Sequence, residues 1–417
     1  MSRSGAAPLR ILISGHETCG LIHDLAEELT RQGHEVTTVA MPNRFFPYTY
    51  DYDQYRFPES VMRAKYGCAR LWSFAFSRLW KASPSLHTAI EKRLRIQAAR
   101  AADVYVRIWG KIPFDEEVME AIEGDGVRVA TFLMGSDVRD YDVFATQYGV
   151  SRWKFPSDVL IPVFADKLQT LRTHERFGDA IFSVPDQMGL ALRPYHHLQI
   201  PLVMNRFQFH VPNRAVPLVV HAPSSPQVKG TDVIEDALAT LRAEGVAFEF
   251  LSLRELPHRD LLDVLSDADV VVDELILHGP GWLSFEAMAS GCAVATRYLG
   301  DSPPCFRPPV WAIDEHNIVD RLRILLTDRE LRIRLATEGR GYVELNNSIE
   351  RVTEMMLEKV EAGLSAPADH IPDYLLTSYV PRDDNEAQCI NAANALVAGE
   401  SWYRDRVAGH TRAGLAF

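Results

Sequence analysis

Cysteine is scarce in this 417-residue chain: Cys19, Cys68, Cys292, Cys305 and Cys389 make an odd total, and no two form a CxxC pair. That excludes a disulfide framework and a zinc ribbon, and it fits reduced cytosolic thiols. Long apolar runs are missing as well. No window approaches the roughly 20 apolar residues of a membrane-spanning helix, and the opening MSRSGAAPLR leads into a strand without the apolar core of an export signal. Basic charge is in deficit, since a formal net charge of −12 argues against general nucleic-acid binding. A cytoplasmic protein is therefore expected. No internal repeat is present beyond a loose alternation of strands and helices. What remains is an ordinary globular balance, 47% hydrophobic and 24% charged, in a chain long enough for two cores rather than one.

The most informative stretch is DVVVDELILHGPGWLSFEAMASGCAVAT at residues 269–296. Val270, Val271 and Val272 form the apolar run of a strand covered on both faces, and Gly279, Pro280 and Gly281 break it, letting backbone amides approach a ligand. A helix carrying Glu286 follows, stops at Gly291 and feeds a second short strand at 293–296. The carboxylate is thereby placed near the carboxyl ends of parallel strands, where open α/β sheets bind nucleotides and sugars.

The remaining chain is α/β in both halves. A strand at 9–13, a polar turn from Ser14 through Gly15 and His16 to Gly20, a helix at 21–31 and a strand at 34–39 form a βαβ unit, although GHETCG is not the GxGxxG of a dinucleotide site. Residues 41–60 read as a long aromatic loop, followed by a largely helical region to residue 100 in which Trp72, Phe74, Phe76 and Trp80 stand among Arg70, Arg78 and Lys81. Between Arg56 and Lys111 there are 12 Lys or Arg and 3 Asp or Glu. Such an imbalance suits a membrane surface or a phosphate-bearing acceptor, and equally a solvated basic face over an aromatic core. Strands at 102–108 and 127–133 flank a helix around 114–122, and the second ends in the turn Met134-Gly135-Ser136-Asp137-Val138-Arg139, where Ser136 or Asp137 can also serve as a helix cap. After a strand at 180–184 and an exit at 200–204, a second unit opens with a strand at 218–221. There Ser224, Ser225 and Lys229 stand ahead of a helix at 232–244 and make a diphosphate grip. The expected organisation is a first domain at 1–205 with an aromatic and basic insert at about 42–101, a linker at 206–217, a second domain at 218–365, and a tail at 366–417 free to pack back on the first domain.

Taken in order, HAPSSPQVKGTDVIEDAL (221–238), LPHRDLLDVLSDADVVVDEL (256–275) and GPGWLSFEAMASGCAV (279–294) resemble nucleotide-sugar glycosyltransferases of the two-Rossmann-domain, or GT-B, type, family 4 in particular. ISGHETCGLIHDLAEELTRQGHEVTTVAMP is similar to that family's opening glycine loop and helix, and GSDVR (135–139) to its short acceptor-side turn. The resemblance implies two Rossmann-like domains facing across a cleft. It implies that Lys229 faces the donor diphosphate and that Glu286 accepts hydrogen bonds from ribose hydroxyls. Gly15, Ser224, Ser225, Gly230, His278, Gly279, Gly281 and Trp282 complete the expected donor site. His16 joins Lys229 as the polar group expected near the reacting oxygen, and Asp137 and Arg139 lie on the acceptor side.

Members of that family retain anomeric configuration without a metal, so no metal and no cofactor are expected. The acid pairs Asp51 with Asp53, Asp140 with Asp142 and Asp267 with Asp269 then read as solvated loops or caps. Three positions depart from the family pattern: His278 stands where an acid touches the donor sugar, Ser224 or Ser225 where an arginine is common, and Met134 where a histidine is common. The expectation is a retaining glycosyltransferase moving a sugar from a nucleoside-diphosphate sugar to a glycan, lipid-linked or natural-product acceptor. A lipid-linked acceptor would bring peripheral association with the inner face of a membrane; no nucleic-acid partner is expected. The departures also admit an impaired nucleotide-sugar-binding partner subunit, a same-fold epimerase or a pseudoglycosyltransferase.

Overall fold

A run of buried β-branched residues too short for a helix has to satisfy its backbone by pairing. Parallel pairing needs a crossover of a dozen or more residues, which helices supply between most of the strands here. The computed structural model describes residues 7–41, 84–109, 112, 115–135, 137–139, 144, 164–254, 256–300 and 302–371. The aromatic cluster from Trp72 to Trp80, the acids Asp51, Asp53, Asp140 and Asp142, Ser136 and residues 372–417 lie outside the described residues.

In chain order the first sheet is built from β1 (Arg10–His16), α1 (Leu21–Arg31), β2 (Glu35–Met41), α2 (Pro84–Arg100), β3 (Val104–Ile108), α3 (Asp115–Ile122), β4 (Arg128–Phe132), α4 (Phe164–Phe177), β5 (Ala180–Ser183) and β6 (His196–His197). Its strands run β2-β1-β3-β4-β5-β6, all parallel. The second sheet comes from β7 (Leu218–His221), α5 (Pro226–Lys229), α6 (Thr231–Ala243), β8 (Glu249–Ser252), α7 (His258–Leu265), β9 (Val270–Val272), α8 (Trp282–Ser290), β10 (Ala293–Thr296) and β11 (Trp311–Ala312). Its order is β11-β10-β9-β7-β8, again parallel. Three helices close the described chain, α9 (Ile318–Thr327), α10 (Arg329–Asn346) and α11 (Ile349–Ala362).

Each sheet reverses its winding direction once, between β1 and β3 in the first and between β7 and β9 in the second. Brändén's rule puts ligands outside the carboxyl ends of strands at such a switch point. In the first sheet that point is where Gly15 stands in register with Ile108. There Gly15 has no room for a side chain, because a Cβ would lie 2.0 Å from the Ile108 carbonyl oxygen. This revises the expected turn: pairing of Ser14, Gly15 and His16 with β2 extends β1 to residue 16, so these three belong to the strand and the turn begins at Glu17.

Packing also revises the second boundary. Ile349, Met356 and Val360 of α11 lie in the same buried core as Ile11, Ile13, Leu25 and Val106 of the first sheet. The chain crosses out through Leu202 and returns through Asn347, and the crossings are stitched together: the Leu202 N–H donates to the Asn347 carbonyl at 2.7 Å and Ile349 N–H to that of Leu202 at 3.0 Å. The first domain therefore regains the chain before residue 365. Beyond α11, His370 pairs by backbone with Tyr195 and their rings stack at 4.9 Å, which places this last described piece on the first domain.

Candidate functional site

At the switch point of the second sheet the ends of β7 and β9 diverge, and the segments leaving them carry the site. After β7 the chain enters the single turn α5, closed by Gly230 in the left-handed region at φ 74°. Lys229 therefore ends a helical turn of its own instead of standing in an open loop before α6. A Cβ on Gly230 would lie 3.0 Å from the Ile276 side chain, so the lysine turn is pressed against the segment that follows β9.

That segment supplies Asp273 and Glu274. Lys229 Nζ donates to Asp273 Oδ1 at 2.7 Å and to Glu274 Oε2 at 2.6 Å. Ser284 Oγ on α8 donates to Asp273 Oδ2 at 2.7 Å. Burial alone would depress the ammonium, but the two carboxylates more than offset it and hold Lys229 firmly charged. Burial works to raise Asp273, yet Lys229 and Ser284 keep it below its ordinary value. Burial does raise Glu274, against the pull of Lys229 and with the push of Asp273. Gly281 packs directly against the ions, for a Cβ there would stand 3.4 Å from Asp273 Oδ2 and 3.6 Å from Lys229 Nζ. Gly279 is needed for a different reason, since its Cβ would fall 2.2 Å from Thr296 Oγ1.

Glu286 is 3% exposed on α8, and its Oε1 lies 2.6 Å from His258 Nε2 at the start of α7. Burial would lower the His258 imidazolium, but the hydrogen bond and charge of Glu286 outweigh it and raise its pKa. Arg206 and Asp24 act on the same imidazole and are themselves joined by two 2.6 Å hydrogen bonds. Through Asp24 of α1, the first domain thus reaches the Glu286 pair. The raised His258 pKa makes a signed prediction. Stability from this pair is fully present below the unfolded imidazole pKa of about 6.5 and is lost as pH rises through the folded value. His258→Gln should therefore fall short of the parent most in acid and converge with it in mild alkali, as read by melting temperature across pH. A constant difference would remove the ion pair from the account.

The other expected residues separate into those turned toward this wall and those that are not. Trp282 opens α8 and packs against the first domain's core. Ser224 is exposed and Ser225 half-buried at the start of α5, without capping that turn through a side chain. His278 is turned to the segment after β10, where Nδ1 accepts the Leu299 N–H at 3.3 Å and the ring stacks on Tyr298 at 5.4 Å. His16 is half-buried at the carboxyl end of β1. Asp137 caps its own turn, accepting N–H groups from Met134, Gly135 and Val138 at 3.1, 2.7 and 3.2 Å. Arg139 is held by Asp186 through Nε at 2.9 Å and Nη2 at 2.6 Å, and its charge reaches Glu274. Asp267 and Asp269 serve Arg214 and the backbone of Leu218.

Four participants escape a reading of the sequence: Asp273, Glu274, His258 and Asp186. The first two had a signal, a pair of acids directly after the buried Val270–Val272 run at the carboxyl end of β9. Among the described residues, His23, Asp24 and Glu27 on α1 are close enough together to hold a metal ion. Asp24 of that trio is already committed to Arg206. No helix among the described residues is long and apolar enough to cross a membrane.

No protein-family model matches the sequence, and no curated protein matches it. Solved structures do match by shape. Sucrose-phosphate synthase from Thermosynechococcus elongatus aligns with a TM-score of 0.52 at 12% identity, over 84% of this chain and 98% of that one. An alpha-glucosyltransferase in complex with UDP aligns at 0.51 with 11% identity, over 85% and 100%. The fold is of the GT-B type. A glycosyltransferase from Rickettsia africae gives the same GT-B superposition, at 0.50 and 11% identity over 85% and 98%. Within this GT-B frame the Lys229 and Glu286 clusters occupy the switch point of the second sheet, and Arg139 and Asp24 approach them from the first domain.

Proposed function

We propose that this chain is a glycosyltransferase that takes a sugar from a nucleoside-diphosphate donor held by the second domain and passes it to an acceptor lying against the first. The observation that carries this reading is the placing of a partly buried, charged lysine and a buried glutamate around one switch point, Lys229 after β7 and Glu286 on α8. As the sugar leaves, negative charge accumulates on the diphosphate, and an ammonium fixed at that spot lowers the barrier where charge develops. Glu286, already oriented by His258, accepts hydrogen bonds from the ribose hydroxyls. The UDP in the solved alpha-glucosyltransferase supports a nucleotide of this class, and the motif order supports family 4 chemistry with retention and without a metal. Arg139, fixed by Asp186, faces the acceptor side.

The direct test is thermal-shift screening against uridine, guanosine, adenosine and thymidine diphosphates and their sugars, since a bound ligand stabilises the fold by mass action. Donors that bind then enter a transfer assay. Failure of every nucleotide to stabilise the protein would sink the reading, and tight binding without turnover for any donor would leave a nucleotide-sugar-binding partner subunit in its place. Within the reading, Glu286→Gln should weaken nucleotide affinity by roughly tenfold or more, because a charge-assisted hydrogen bond becomes a neutral one. Unchanged affinity in calorimetry would move the ribose contact elsewhere.

A further inference from the structure

Lys229 offers three N–H donors, and two of them are given to Asp273 and Glu274. With both carboxylates ionised, their one shared ammonium leaves the trio negatively charged before any anion arrives. A diphosphate approaching Lys229 therefore meets the charge it needs together with charge that repels it. Something in the cluster has to change when it binds.

The surroundings decide which group changes. Asp273 is fully buried, accepts from Ser284 as well as Lys229, and is held below its ordinary pKa despite burial. His221, which feels the charge of Asp273, is pushed down by burial, with Nδ1 2.7 Å from the Val272 carbonyl oxygen and Nε2 2.9 Å from Thr231 Oγ1. Glu274 stands differently. Among the described residues its carboxylate takes one side-chain hydrogen bond, from Lys229, and Oε2 lies beside Gly281, where a Cβ would be 3.5 Å away. Burial and Asp273 both favour its neutral form, while Lys229 from α5 and Arg139 from the turn after β4 favour the anion. A diphosphate adds negative charge on the side of the neutral form.

Resting on the donor-site reading above, we propose that binding of a nucleoside diphosphate at Lys229 is coupled to the uptake of one proton by Glu274. The carboxylate takes H⁺ from solvent and becomes a carboxylic acid, and no bond of the ligand changes. As an acid, Glu274 has an O–H to donate to a phosphate oxygen that its anion would repel. Lys229 keeps Asp273 as its counterion and turns its freed N–H to the diphosphate. Glu274 thereby becomes the group that sets how strongly the site holds its ligand at a given pH.

Proton uptake means that the ligated pKa of Glu274 lies above the unligated one. Between the two values affinity falls as pH rises, by up to about tenfold per unit for one linked proton. The experiment is isothermal titration calorimetry on the full chain from about pH 5 to 9, each point repeated in two buffers of different ionisation enthalpy to count protons. The probe is whichever of uridine, guanosine, adenosine and thymidine diphosphate binds best, followed by the matching nucleotide sugar. The free diphosphate has its own ionisation near about pH 6, but this is common to parent and Glu274→Gln and cancels between them. The expected result is a pH window in which the parent takes up close to one proton more than Glu274→Gln. In that window the parent also loses affinity with rising pH more steeply than the variant. Equal proton counts and parallel affinity profiles across the range overturn the coupling while leaving the donor site standing. If no diphosphate binds, the donor-site reading falls and the coupling falls with it. Should Glu274→Gln not fold, the nucleotide sugar decides on the parent alone, because its esterified diphosphate has no proton to gain in this range. A count of zero throughout then overturns the proposal.

Discussion

Lys229→Ala is expected to lower turnover by roughly two to three orders of magnitude, the effect of removing one electrostatic contact from the developing charge, worth about 3 to 4 kcal/mol. A second consequence follows from the geometry. Asp273 and Glu274 both lean on the lysine, at 2.7 and 2.6 Å, and its loss leaves two buried carboxylates without their shared counterion. Breaking a buried ion pair by deleting one partner costs about 3 to 5 kcal/mol of stability, because the remaining charge is uncompensated. The carboxylates then gain from protonation in the folded state, so the deficit should be largest near neutrality and shrink as pH falls toward the range where they protonate. Melting curves at several pH values, taken beside steady-state rates, separate the two effects. A variant that turns over donor normally contradicts the assignment, and a variant of normal stability contradicts the ion cluster.

Gly15→Ala should remove about 3 kcal/mol of stability, the upper end of what one extra buried methyl costs. Beside the ligand-facing role expected of it, Gly15 has a packing duty. Its α-carbon faces the β3 backbone at Ile108, and a Cβ would sit 2.0 Å from that carbonyl oxygen and 2.9 Å from the Ile108 Cβ. Both strands are tied into the sheet on either side, so neither can retreat without loss of pairing. Chemical denaturation measures the deficit. Gly341→Ala is the control, because nothing lies within 4 Å of its added methyl and it occupies the helix Arg329–Asn346. That variant should gain up to about 1 kcal/mol from helix propensity. Equal behaviour of the two would show that the β1–β3 approach is not as tight as described.

How much of this was legible beforehand depended on the range of the interaction. Runs such as Val270–Val272 announced strands, and Gly291 announced the end of α8, because those signals are local. Lys229 and Glu286 could be singled out because each lies in a motif with its own order and spacing. Their partners could not, since Asp273 is 44 residues from Lys229, His258 is 28 from Glu286, and Asp186 is 47 from Arg139. Nothing in a local window distinguishes Asp137, which caps its own turn, from Arg139, which is fixed by a distant acid. The return of α11 was illegible for the same reason: its apolar stripe shows that it packs on something, without saying on which sheet.

That return bears on how the protein is made. Asn347 Nδ2 donates to the Ile200 carbonyl at 2.8 Å across 147 residues of sequence. The second domain is thus spliced into the first as an insertion, and Ile349, Met356 and Val360 are core residues that the first domain has to wait for. On the ribosome, the first sheet emerges early with one wall of its core absent. The second sheet, whose core is drawn from one continuous stretch, can close before it. The first domain can therefore complete its core only once α11 has emerged.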